Sequence, residues 1–134
     1  MMTESQQPPG AKDDQHDQIL VARLFHGIVI VTPERDALWD RVKIHQFHDK
    51  LVKYLAAKQP PAVILDLEKV EILSSEALNI LLRIRDHAVA RDLQLRLCNL
   101  RHAVREVMRI TELARLFEIY ETLPQAYRGL LPED

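Results

Sequence analysis

The chain of 134 residues is 47% hydrophobic and 28% charged, the balance of an ordinary globular protein and not of a disordered one, and its length fits one domain. Lys and Arg number 18 against 20 Asp and Glu, and the resulting net charge of -2 supplies no global attraction to nucleic acid or anionic lipid. A single cysteine, Cys98, rules out an intramolecular disulfide and makes a reducing cytoplasm the expected home.

In chain order, residues 1–17 are polar and rich in Gln, Asp and Pro, so they are expected to form a flexible tail ahead of a domain at 18–130, with 131–134 as the C-terminal end. The start lacks the basic residues and apolar stretch of a secretory signal, and no apolar run is long enough to cross a bilayer, so no membrane insertion is expected. Residues 19–25 and 28–31 read as strands around a turn at His26-Gly27, and Pro33 ends the second of them. Residues 32–40 fit either a loop or one more edge strand. At 41–58 the positions Val42, Phe47, Leu51, Tyr54 and Leu55 form a helical stripe that Pro60-Pro61 stops. Residues 62–67 are apolar on both faces until Asp66, the mark of a strand in mid-sheet with helices packed on it.

The spacing predicts a helix over 78–89, with Leu78, Leu81, Leu82, Ile84 and Val89 turned inward. Residues 93–98 alternate and read as a strand with one wetter face. A shorter helix around Val104, Val107 and Met108, a strand-like run at 116–120 and a helical turn at 123–127 complete the chain. The alternation implies a single α/β domain, a mixed and mostly parallel sheet of four to five strands with helices packed against it.

Enzymatic signatures are missing. The three glycines, Gly10, Gly27 and Gly129, do not form a phosphate-cradling loop, and there is no Gly-x-Ser-x-Gly elbow. No catalysis and no cofactor are expected. His45 and His48 lie three apart on one helix, but no other ligand completes a metal set and Asp49 is expected to point elsewhere, so solvated histidines are preferred. Eight arginines between 81 and 115 (83, 85, 91, 96, 101, 105, 109 and 115) face four acids. Without interleaved aromatics they suggest a solvated face or a docking face for an acidic partner, not direct nucleic-acid binding.

The stretch Asp66-Leu67-Glu68-Lys69-Val70-Glu71-Ile72-Leu73-Ser74-Ser75-Glu76-Ala77-Leu78 carries the most information. A buried strand ends in an aspartate, and two serines stand where the next helix must begin. Capping alone explains one serine there, because its oxygen accepts an orphan backbone N–H. The same helix end stabilises a phosphate, and a phosphoserine brings roughly two negative charges that repel one partner or recruit another. Both readings stand.

These residues resemble the signature of STAS domains, the fold of bacterial anti-sigma-factor antagonists. An apolar strand, Val63-Ile64-Leu65, runs into Asp66-Leu67, and after a short gap Ser74-Ser75 opens a helix before Leu78. The similarity continues through 95–100, 103–107, 113–117 and Ile119-Tyr120, covering 62–126. It implies a non-catalytic interaction module in bacterial signalling and transcription regulation. Its protein partner would be an anti-sigma factor that doubles as a serine kinase, and phosphorylation would release the antagonist. In this register the acceptor is Ser75, with Ser74 as second candidate, and the contact surface comprises Asp66, Ser74, Ser75, Glu76, Asn79 and Arg83. Ser74 stands where the family carries Asp, and Ala77 where it carries Gly, which places a methyl where a kinase is expected to approach. Two alternatives keep the fold: an accessory STAS subunit of a transport complex, or a small-ligand or nucleotide-binding STAS module.

Overall fold

In the computed structural model, which describes residues 12–130, a sharp reversal falls at His26-Gly27. Their φ values of 52° and 82° are the paired left-handed conformations of a two-residue hairpin turn, whose twist matches that of its strands. The turn joins β2 (Leu20–Phe25) to β3 (Ile28–Pro33), antiparallel in unbroken register from Leu20↔Pro33 to Phe25↔Ile28. β1 (Lys12–His16) pairs antiparallel with the other edge of β2, with an irregularity between Asp13 and Gln15. This corrects the expected tail over residues 1–17: its last part is a strand, and residues 1–11, like 131–134, lie outside the described residues. The reason is physical. Ladder bonds use backbone groups, which a free sheet edge offers to any extended chain, so side-chain composition understates the pairing. Asp17 then turns the chain, its carboxylate accepting from the N–H groups of Ile19 at 2.7 Å and Leu20 at 3.0 Å.

Beyond β3 every strand is parallel to its neighbour. α1 (Arg41–Lys58), α2 (Ser75–Ala90) and α3 (His102–Ile110) with a 3-10 turn at Leu113–Leu116 carry the chain across to β4 (Ala62–Asp66), β5 (Gln94–Cys98) and β6 (Glu118–Tyr120), and α4 (Leu123–Tyr127) follows. The sheet order is β1-β2-β3-β4-β5-β6. The α/β class and mixed, mostly parallel sheet hold, with β1 as the strand the sequence did not announce. Residues 32–40 resolve as the end of β3 followed by turns that bury Ala37 and Leu38, not as a further strand. The run at 116–120 keeps strand geometry only over β6.

The alternation of β3 and β4 sends Val29, Val31, Val63 and Leu65 to one face, against Phe47 and Leu51 of α1 and Ile80, Leu81 and Ile84 of α2. Ile28, Ile30, Ala62 and Ile64 point the other way, where Leu123 and Ala126 of α4 cover them. Two inward assignments are corrected: Val42 is 66% exposed and Val89 67% exposed. Ile44 replaces the first on the buried stripe of α1, and Ala77, Ile80 and Ala88 join Leu81 and Ile84 on the buried stripe of α2. α1 starts where Asp40 accepts from Val42 and Lys43 N–H, both at 3.0 Å, and ends at Gln59 in the left-handed conformation before the two prolines.

Candidate functional site

Between β4 and α2 the chain crosses the carboxyl end of the sheet, and its anchoring decides where the two serines stand. Asp66 ends β4 only 2% exposed. Its Oδ1 accepts from Asn99 Nδ2 at 3.0 Å and from Glu68 N–H at 3.2 Å. Burial pushes this carboxyl above its ordinary value, although those two bonds and the charges of Arg23 and Lys69 oppose the shift. Leu67 N–H donates to Cys98 C=O at 3.0 Å, and Arg101 Nε donates to Glu68 C=O at 2.7 Å. Leu67, Val70 and Leu73 are buried beneath. On the far side Ser74 N–H donates to Leu38 C=O at 3.4 Å, and Arg35 meets Glu71 at 3.1 Å, so the loop before α1 lies beside the loop before α2.

Ser74 is the cap of α2, extended in backbone, its Oγ accepting from Ala77 N–H at 3.1 Å. Ser75 is the first helical residue and is exposed. Two roles that one serine might have combined are divided between neighbours. The Ala77 methyl is buried in the core.

Ser75, Asn79 and Arg83 are exposed on one side of α2, and half-buried Glu76 lies with them. Glu76, Asn79, Arg83 and Asp86 line a shallow depression whose far wall is His45 of α1, and His45 Nε2 lies 2.7 Å from Glu76 Oε2. Five of the six expected contact residues are therefore together. Asp66 is not among them. It is a buried anchor of the loop, and its place in the contact set is corrected accordingly.

Three exposed apolar side chains near these loops were not among the expected contact residues. Trp39 is 52% exposed, Ile72 47%, and Val42 stands outward at the start of α1, all on the two joined loops or the turn that follows them. A lone tryptophan directly before a capping aspartate was the available signal for the first.

Elsewhere the expected features dissolve into local pairs. His48 Nδ1 lies 3.1 Å from Asp49 Oδ1, so adjacent side chains meet after all. Several of the arginines are engaged locally. Arg85 and Arg96 donate to the carbonyls of Leu116 and Ala126, Arg101 serves the β4–α2 loop, and Arg109 and Arg115 pair with Glu106 and Glu112 at 2.9 and 2.8 Å. Burial pushes the Cys98 thiol up, far from nucleophilic behaviour. No helix among the described residues is long and apolar enough to cross a membrane.

The family model described as STAS domain matches residues 21–126. Among solved structures, a candidate anti-sigma factor antagonist from Thermotoga maritima superposes with a TM-score of 0.74 at 21% identity, over 81% of this chain and 91% of that one. An anti-sigma-factor antagonist (STAS) domain protein from Planctomyces limnophilus gives 0.73 at 18% identity, over 83% and 97%. An anti-sigma factor antagonist from Mycobacterium paratuberculosis gives 0.65 at 25% identity, over 82% and 91%. No curated protein matches the chain by sequence.

Proposed function

The chain belongs to the STAS domain family, and from that premise we propose that it is a non-catalytic interaction module of the anti-sigma-factor antagonist kind, docking a protein partner on the start of α2 and switched by phosphorylation of Ser75. The observation that carries this reading is the division of the serine pair: Ser74 holds the cap, and Ser75 stands exposed beside it. A partner kinase moves the terminal phosphoryl group of a nucleoside triphosphate onto the Ser75 oxygen and takes up the hydroxyl proton. The modified residue brings roughly two negative charges into the middle of the docking surface, where they repel a partner fitted to a neutral hydroxyl. Trp39, Val42 and Ile72 extend that surface with apolar contact area.

The test has two parts. Protein isolated from its own host is mapped for phosphate by mass spectrometry while co-purifying proteins are identified. Affinity for the protein so found is then measured for Ser75→Ala and Ser75→Glu. Phosphate on Ser75, undiminished binding by Ser75→Ala and weakened binding by Ser75→Glu are expected. Equal affinity in both variants rules out the switch, and a permease or transport ATPase as sole partner replaces the signalling role with that of an accessory subunit.

A further inference from the structure

The contact between His45 and Glu76 joins α1 to α2 at the residue next to Ser75, and docking alone gives it no role. The partners are 31 positions apart in sequence, lie 2.7 Å apart, and are each about half exposed. From α2, Glu76, Arg83 and Asp86 share the depression with His45. On α1 itself, Arg41 and Asp49 lie one turn to either side, and His48 is held by Asp49. Imidazole is the side-chain class whose charge a nearby phosphate can change in the physiological range. His45 is the imidazole that faces the Ser75 end of α2.

A phosphate on Ser75 adds its charge one residue from Glu76, the carboxylate that His45 already meets at 2.7 Å. We propose that His45 is the phosphate-responsive residue of this site: modification of Ser75 holds the imidazole in its protonated form, tying α1 to the modified end of α2. The inference rests on Ser75 as the acceptor. Proton and phosphate then stabilise each other, because coupling between two sites is reciprocal.

The second ionisation of a phosphoserine falls near pH 6, in the range of an imidazole, so each group reports the other. Full-length chain is made with phosphoserine installed at position 75 during synthesis, with His45 and with His45→Gln, and the phosphorus resonance is followed against pH. The substitution lies on a half-exposed position and keeps a hydrogen-bonding side chain. The electrostatic effect of the α2 N-terminus is common to both chains and cancels between them. The midpoint is expected to lie lower by about one unit in the chain with His45, since protonated imidazole favours the phosphate dianion. Coincident midpoints overturn the proposal. A native protein without phosphate on Ser75 overturns the switch instead, and leaves this difference in the synthetic phosphoprotein unchanged.

Discussion

At the scale of single residues, neighbouring polar side chains around the β4–α2 loop do different work, and substitution separates them. Ser74→Ala removes the cap from Ala77 N–H and is expected to lower unfolding free energy by about 1 kcal/mol in urea denaturation. Ser75→Ala removes no cap and is expected to leave stability nearly unchanged. If the two variants lose stability equally, the division of roles is wrong. Asp66 poses a different question, because its raised folded-state value means that the folded protein binds the proton more tightly than the unfolded chain. The sign follows: stability falls as pH rises from the ordinary value of 3.8 through the folded value, so this carboxyl is a net burden above that range. Asp66→Asn keeps an oxygen for Asn99 and Glu68 N–H and loses the buried charge, so equal or greater stability at neutral pH is expected. Asp66→Ala strands both donors and is expected to cost roughly 1–3 kcal/mol.

At the scale of elements, the seam between α1 and α2 carries a second titratable group. His87 Nε2 is buried and has no partner among the described residues. Burial first, then the charges of Arg91 and His48, hold His87 below its ordinary value of 6.5. The unfolded chain therefore takes up the proton before the folded one does. The contribution of His87 is complete above the unfolded value and is lost as pH falls through and below it. His87→Met, which packs the same space without a charge, is expected to lose less stability than the parent between neutral and mildly acidic pH, and parallel pH profiles refute the assignment. The sequence pattern showed where α1, α3 and α4 lie because their apolar spacing and terminating residues act locally, as Pro60-Pro61 does. It misjudged Val42 and Val89 because a stripe near a helix end runs past the sheet that the helix covers, and no local pattern shows where that sheet stops.

At the scale of the whole molecule, the parallel half of the sheet was legible because Val63, Ile64 and Leu65 are buried on both faces, and only a central strand requires that. β1 was not legible, since its pairing is settled by the backbone edge of β2 and not by its own side chains. Asp66 was placed in the contact set together with the serine pair because the resemblance joins them in one stretch of sequence. Its burial depends on Asn99, which follows the next strand and is joined to it only in space. The same long-range assembly creates the proposed docking face, because Ser74 N–H on Leu38 C=O and Arg35 on Glu71 set Trp39 beside the loop that leads to Ser75. Trp39 is half exposed, so Trp39→Ala removes little from the core and is expected to change stability by less than about 1 kcal/mol. A tryptophan at the centre of an interface commonly contributes about 2 kcal/mol or more on truncation, which corresponds to a partner affinity weakened at least about 30-fold. Denaturation and binding measured on the same preparation decide the matter. Lost affinity with an unchanged unfolding midpoint places Trp39 within the interface, and unchanged affinity confines docking to the exposed side of α2.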